Sequence, residues 1–404
     1  MGECMFSLDR ERLLFDLYIA FFCAKKHKAN LPYVLAYEKN LHTNLVVLRD
    51  VLFERRYVPK PSICFIIHDP KTREIFAAEF EDRIVHHLYY NYTHEMYERT
   101  FIADSYSCIK GRGMHYGVKR LCKHIRQESL NYTEDCFVLQ IDISGYFVNI
   151  NRNILLGECL FIINKMAGKR IHHSSPVTWE MKVDIDFVLY LTRVIVLLDP
   201  TINCIRVGDP SAWGTVPANK LMENSPRDCG LPIGNLTSQL FSNVFLNILD
   251  QYIKRVLRCK HYGRYVDDSF IVSADREYLK SLIPLIETFI WERLRLKINK
   301  GKTKITNVRQ GVQFLGAFVK PWRTYISSST LQRIETGLTN LKDCEATRVV
   351  NALNSYCGVL GHHSSRGVRC SLFMKNKWVF EYGYFNTDMT KFIPEERVFG
   401  CRRR

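Results

Sequence analysis

The segment Arg264-Tyr265-Val266-Asp267-Asp268-Ser269-Phe270-Ile271-Val272 reads as two short apolar strands around a polar turn, with two adjacent carboxylates at the turn. An acidic pair alone means little. Chance placement of 41 acids in 404 residues gives as many pairs as occur here, at 81–82, 134–135, 267–268 and 395–396. Only 267–268 interrupts strand-like apolar runs, where two ionised carboxylates repel at high cost unless a cation sits between them. A second buried-strand pattern, Phe137-Val138-Leu139-Gln140-Ile141, stops in the same way at Asp142. One acid at a strand end and a pair at a hairpin turn can surround two divalent ions about 4 Å apart. Hard oxygen ligands suit Mg²⁺, with Mn²⁺ as its substitute. A buried structural cluster fits the same spacing, and spacing alone leaves both open.

Around these strands the chain alternates helix and strand without a regular βαβ rhythm, which predicts an α+β fold. Residues up to 58 read as helices, with Leu41, Leu45, Leu48, Val51 and Leu52 at helical spacing before Pro59 and Pro61. Ile63 to Ile67 is a strand, Asp69-Pro70 a turn, and 79–97 a helix. A basic loop with Gly111, Gly113 and Gly117 precedes a helix near 117–128. The stretch 152–229 is read as an insertion carrying an apolar helix at 183–198. Helices follow at 236–257 and 276–295, a strand at 312–319, a helix at 329–356, and a basic tail, Arg402-Arg403-Arg404.

Composition narrows the function. An excess of 57 Lys+Arg over 41 Asp+Glu gives a net charge of +16, which points to a polyanionic partner such as nucleic acid. The 14 cysteines include no C-x-x-C pair, so they read as small buried hydrophobes of a reducing compartment. The apolar run 13–24 contains Asp16 and is too short to span a bilayer. Met1-Gly2 lacks the Ser or Thr at position 6 that a myristoylation signal needs. A cytoplasmic protein with no membrane partner is expected. The His pairs at 86–87, 172–173 and 362–363 lack a third ligand at metal spacing and read as packing or surface residues.

Several blocks stand in a fixed order along the chain. They are Asp82-Arg83-Ile84-Val85-His86-His87, Ser105 to Gly113, Ile141-Asp142-Ile143-Ser144-Gly145-Tyr146-Phe147 and Gly230 to Gln239. Tyr265-Val266-Asp267-Asp268, Lys297 to Lys304 and Phe314-Leu315-Gly316 complete the set. Together they resemble the blocks of bacterial retroelement reverse transcriptases, over roughly residues 30–355. Most members carry Q-G-x-x-x-S-P in the nucleotide loop. This chain has Ile233-Gly234-Asn235-Leu236-Thr237-Ser238-Gln239, which resembles the pattern of diversity-generating retroelements.

The resemblance implies a right-hand polymerase: N-terminal helices and fingers (1–135), palm (136–325, with the insertion) and a short helical thumb with its tail (326–404). It implies RNA-directed DNA synthesis, error-prone at adenines, with template RNA, a primer or cDNA strand and dNTPs as partners, and a small basic accessory protein. Catalysis falls to Asp142, Asp267 and Asp268, which with Ile143 form the metal set for two Mg²⁺ ions. The nucleotide set is Lys110, Arg112, Ile143, Tyr146, Phe147, Ile233, Gly234, Gln239 and Lys302. Within it Lys110 and Arg112 meet the triphosphate, and Tyr146, or Phe147 one residue on, selects the sugar. Lys302 either protonates the leaving pyrophosphate or contacts backbone phosphate. Template and primer fall to Arg83, Tyr265, Phe314, Leu315 and Gly316; Arg83 is alternatively a local ion pair with Asp82. A retron-like or phage-defence enzyme is the alternative setting, and a catalytically idle RNA-binding scaffold the alternative class.

Overall fold

The computed structural model describes residues 8–68, 71–172 and 174–395. Met1-Gly2, the Asp69-Pro70 turn, His173 and the Arg402–Arg404 tail lie outside them. The described chain opens with helices α1 (Arg10–Lys25), α2 (Pro32–Lys39) and α3 (Leu41–Phe53). Asp9 caps α1 by accepting from the Arg12 N–H, and the helix buries Leu13, Leu17, Ala20, Phe21 and Ala24. The β-branched run at 63–67 forms β1 (Ile63–Ile67), antiparallel to β2 (Arg73–Ala77). Then come α4 (Phe80–Glu98), α5 (Met114–Glu128), β3 (Phe137–Ile141) and the one-turn α6 (Tyr146–Asn149). Next are α7 (Arg152–Ala167), α8 (Ile185–Leu197) and β4 (Ile205–Arg206), which adds to β1 in parallel.

After α9 (Leu236–Gln251) come β5 (His261–Tyr265), β6 (Asp268–Ser273), α10 (Arg276–Phe289) and β7 (Lys304–Asn307). A meander of β8 (Val312–Phe314), β9 (Ala317–Lys320) and β10 (Arg323–Ile326) leads to α11 (Ser328–Asn340), α12 (Ala346–Gly361) and α13 (Arg366–Lys375). A last hairpin pairs β11 (Gly383–Phe385) with β12 (Phe392–Pro394).

The central sheet has the order β5-β6-β3-β7, antiparallel throughout, and is buried on both faces. Side chains alternate along a strand. Leu139 and Ile141 therefore enter the main core with α1, α4, α7, α8 and α9, while Val138, Phe270 and Val272 pack against Val118, Leu121 and Ile125 of α5. Two covered faces explain why 137–141 reads as a continuous apolar run. The segment from Ile326 to Phe392 has a core of its own, built on Ile334, Leu338, Leu353 and Phe373. Mixed helix and sheet, with a palm-like antiparallel sheet and a separate C-terminal helical unit, is the α+β right-hand arrangement.

Several sequence expectations change. Within the 152–229 stretch, α7 and α8 bury Leu155, Cys159, Ile162, Phe187 and Leu191 in the main core rather than on the surface. The segment 199–229 is largely irregular, and it is anchored where buried Glu74 accepts from Trp213 Nε1 (3.0 Å) and the Met222 N–H (2.8 Å). The strand expected at 312–319 is a hairpin turning at Leu315-Gly316, and the helix expected at 329–356 breaks between α11 and α12. No described helix is long and apolar enough to cross a membrane.

Candidate active site

Two residues, Val266 and Asp267, join β5 to β6, with Tyr265 paired to Asp268 across the ladder. Val266 holds φ 54°, a conformation a β-branched residue adopts only under constraint. The constraint is visible. Arg264 Nη1 donates to the Val266 carbonyl at 2.8 Å, and the Val266 N–H donates to Ser107 Oγ at 3.3 Å. Arg264 is itself sealed in the protein: its side chain is 1% exposed and Asp250's 0%, with Nη2–Oδ2 at 2.6 Å and Nε–Oδ1 at 2.8 Å. Tyr262 Oη donates to the same Asp250 carboxylate at 2.6 Å, and Ser107 Oγ to Asn243 Oδ1 at 2.8 Å. A buried bidentate ion pair has little net value for stability, but it fixes geometry. Here it fixes the acidic turn.

Asp142 reaches this turn through sheet register. β3 pairs with β6 so that Ile141 faces Ser269, which sets Asp142 beside Asp268. On its other side the segment 142–144 is bound by Asn299 N–H to the Asp142 carbonyl (2.8 Å) and by Ser144 N–H to the Lys297 carbonyl (2.9 Å). This seats the lysine block against the strand end, with Lys302 Nζ 3.4 Å from Asp142 Oδ2. The carboxylates feel one another. Burial, then the charge of Asp142, raises Asp267 above the ordinary carboxylate range. Desolvation, then the charges of Asp267 and Asp142, pushes Asp268 up to about 6, although its side chain opens to solvent on one side. Among the described residues no three His, Cys, Asp or Glu side chains stand close enough to ligate one ion as placed. Carboxylates that raise one another although Lys302 stands beside them are nevertheless a donor set suited to a hard divalent cation.

The Ile233-Gly234 loop is pinned to β2. The Phe76 N–H donates to the Ile233 carbonyl at 2.9 Å, and the Ala78 N–H to Asn235 Oδ1 at 3.0 Å. Gly234 has φ 132°, and a Cβ there would lie 2.9 Å from the Phe76 carbonyl oxygen, so only glycine fits. Exposed Gln239 meets the 105–113 loop, accepting from Cys108 Sγ at 3.2 Å. Tyr146 is 3% exposed and its hydroxyl donates to the Ser242 carbonyl at 2.7 Å. Its ring belongs to the core, and the neighbouring ring, Phe147, is the half-exposed one. Ile143 is buried, which leaves only its main chain to offer an ion.

Arg112 is turned inward, donating to the Ser105 carbonyl at 2.8 Å, while Lys110 is exposed on the same loop. Arg83 donates to the Ala78 carbonyl (2.7 Å) and Tyr33 Oη (3.1 Å). Asp82 instead accepts from Tyr57 Oη (2.5 Å) and the Lys60 N–H (2.9 Å). The local Asp82–Arg83 pair is therefore replaced by two separate anchorages. Tyr265 is half-buried, Phe314 is buried, and half-buried Leu315-Gly316 form the turn between β8 and β9. His86 is buried against Thr237 (2.6 Å), and His362 stacks on His115 with centroids 3.6 Å apart.

Sequence reasoning passed over four residues. Asp250 and Arg264 carry no local signal, since their pairing spans the α9–β5 connection. Lys71 and Arg73, which follow the β1 strand pattern, drew no reading of their own, yet the charge of Lys71 acts on Asp268 and that of Arg73 on Asp267. Two cations beside a run of β-branched residues were the available sign.

The family model described as reverse transcriptase (RNA-dependent DNA polymerase) matches residues 58–319, more than half of the chain. Protein YkfC of Escherichia coli (strain K12) is 23% identical over 315 residues, 69% of this chain and 72% of that protein. The putative COX1/OXI3 intron 2 protein of Saccharomyces cerevisiae is 25% identical over 205 residues, 34% of this chain and 24% of that one. Among solved structures, telomerase from Candida albicans in complex with a TWJ fragment of telomeric RNA aligns at 13% identity and a TM-score of 0.47. That alignment covers 82% of this chain and 56% of the telomerase chain.

Proposed function

Since the chain belongs to the reverse transcriptase family, a family of RNA-directed nucleotidyltransferases, we propose that it copies a template RNA into cDNA at the cleft between the 265–268 turn and the β1–β2 tip. One observation carries this reading: the register of β3 on β6 brings Asp142 to the turn that bears Asp267 and Asp268. Asp142, Asp267, Asp268 and the main chain of Ile143 would hold two Mg²⁺ ions, with Mn²⁺ as substitute. Bound there, the metal would favour ionisation of the primer 3′-hydroxyl and neutralise the charge of the leaving pyrophosphate.

The remaining roles belong to the protein's own groups. Arg73 and Lys71 hold the triphosphate, supported by their electrostatic reach to the two aspartates, and Lys110 assists from its exposed loop. Arg112 shapes that loop through the Ser105 carbonyl. Phe147 lies under the sugar and excludes a 2′-hydroxyl, whereas Tyr146 braces it from the core. Lys302, already against Asp142, is placed to protonate or bind the leaving phosphate. Gln239 and the Ile233-Gly234 loop contact the incoming nucleotide, Tyr265, Leu315 and Gly316 the primer end, with Phe314 bracing that turn from the core, and Arg83 the template.

The finer reading is a diversity-generating retroelement enzyme, supported by Ile233 and Gln239 in the nucleotide loop. An apolar side chain at 233 makes no polar contact whose loss would penalise a mispair. A small basic accessory protein and a cytoplasmic site of action go with it. RNA-templated primer extension with sequencing of the products tests both levels. Errors concentrated opposite template adenine, reduced in Ile233→Gln, support the retroelement reading; an even error spectrum that Ile233→Gln leaves unchanged refutes it. A near-repeat pair differing at adenines beside the gene separates it from a retron-like or phage-defence setting.

A further inference from the structure

Away from the aspartates, the end of α5 and the turn after it form an open pocket of about 610 Å³ beside the β9–β10 hairpin. It is lined by Cys122, Lys123, Arg126, Gln127, Asn131 and Tyr132, and no acid is among them. Three observations set this place apart. First, backbone strain gathers there: Leu130 (φ 46°), Asn131 (φ 63°), Tyr132 (φ 70°) and Trp322 (φ 66°) all sit in the left-handed region without being glycine. The turn is held by Asn131 N–H to the Arg126 carbonyl (2.8 Å), Arg126 Nε to Asn131 Oδ1 (2.8 Å) and Tyr132 N–H to Ser129 Oγ (2.9 Å). Strain that the surroundings over-determine gathers at ligand clamps.

Second, the strained residues display aromatic surface. The Trp322 ring packs 4.7 Å from Tyr132 and remains 66% exposed, a large apolar face left open to water. Third, the exposed helix face beside the platform is basic. Lys119, Lys123 and Arg126, spaced four and three residues apart, share one exposed face of α5, and Lys320 and Arg323 are exposed on either side of Trp322. Cys122 Sγ lies 3.5 Å from Thr324 Oγ1, so the helix face and the hairpin are in contact. β9 also runs from the Leu315-Gly316 turn to this hairpin, and at about 3.3 Å per residue the two ends lie about 13 Å apart.

An open indole paired with a phenol, a side-chain amide and a row of exposed cations match the chemistry of an unpaired nucleotide: a base to stack, a phosphate to neutralise. A duplex hides its base faces and would leave Trp322 unused. We propose that the Trp322–Tyr132 platform and the Lys123–Arg126 face of α5 bind a single-stranded nucleic acid, continuing the path of a strand that leaves the 315–316 turn. This rests on the polymerase reading only for the strand's origin; binding itself does not require catalysis.

The test is fluorescence anisotropy on the full chain with three probes: a blunt RNA–DNA duplex, the same duplex with a long single-stranded RNA template overhang, and one with a long single-stranded DNA overhang. Trp322→Ala should weaken one overhang probe about tenfold, the worth of one stacked base, and leave the blunt duplex unchanged. The probe that loses affinity identifies the strand. Trp322→Phe should restore most of the loss, and Lys123→Glu should lower the salt dependence of that same probe. Trp322 is exposed enough for its variants to keep the wild-type melting temperature. Equal affinity of wild type and Trp322→Ala for both overhang probes, or an equal loss on the blunt duplex, overturns the site. If primer extension fails while the overhang effect persists, the polymerase reading falls and this site stands.

Discussion

Two hairpin turns, each of two residues, lie near the proposed reaction centre and are held in opposite ways. Between β5 and β6, Val266 takes the positive φ of a turn position that ordinarily prefers glycine, and a buried network holds it there. Between β8 and β9, Leu315 (φ 48°) is followed by Gly316 (φ 80°), so the second residue adopts its conformation without steric cost. This turn is tied outward: Leu315 packs on α5 at Gly117, and the Ser327 N–H, at the cap of α11, donates to the Gly316 carbonyl at 2.9 Å. Where reacting groups must hold still, strain is locked by charge in the core. At the turn proposed to hold the primer end, the chain is linked instead to α5 before it and to the cap of α11 after it.

The largest expected effect comes from breaking the lock. Asp250→Ala leaves Arg264 buried without its partner and should cost about 3–5 kcal/mol in a denaturant titration. Arg264→Lys keeps the charge but loses the bidentate fork. It should lower kcat about tenfold or more with a nearly unchanged dNTP KM, because donors aimed at a fixed geometry act on the transition state. A matching rise in KM would mean that the network shapes binding instead. Gly316→Ala forces a side chain into the left-handed region and should cost about 1–2 kcal/mol, raising the KM for primer more than for dNTP. Val266→Gly is the smallest change. Relief of strain and the added freedom of glycine nearly cancel, to within about 1 kcal/mol. In the Arg264→Lys background it should recover part of the lost stability, and no recovery would mean that Val266 is unstrained.

Acidity sharpens the same contrast. Asp267 and Asp268 are raised in the folded chain, Asp268 to about 6, so between about pH 4 and 6 the native state keeps protons that the unfolded chain has lost. Without divalent metal, stability should therefore fall as pH rises through that window, and the cost remains in full above it. Mg²⁺ bound at the proposed site would compete with those protons, so its half-saturating concentration should rise as pH drops below 6. Lys302 lowers both carboxyls, and Lys302→Gln should move the profile to higher pH. A melting temperature flat across pH 4–7 without metal contradicts the coupling.

The strands at 137–141 and 268–273 were legible because a sheet covered on both faces needs continuous apolar runs, and each run is bounded by an acid, whereas the start of β5 at His261, before the expected Arg264, carries no such run. The helices at 41–53, 80–98 and 236–251 were legible from apolar spacing. What stayed hidden depends on pairing between distant segments. Nothing beside Asp250 announces Arg264, and nothing in Tyr146-Phe147 says which ring faces the core until Ser242 accepts the tyrosine hydroxyl. Arg112 looks like a phosphate ligand in its glycine-rich loop, and only the fold shows its donors turned to main-chain carbonyls. The core packing of α7 stayed hidden for a related reason: the helix is apolar on much of its circumference, so its fit to the main core leaves little amphipathic trace.

The most direct measurement is primer extension on an RNA template with Mg²⁺, run side by side on wild type, Asp142→Asn and Asp267→Asn, with template binding recorded for each. Three carboxylates acting as one centre predict extension by wild type alone and RNA affinity unchanged in both variants. Extension by Asp142→Asn at the wild-type rate would contradict a shared centre, whatever the 265–268 turn does.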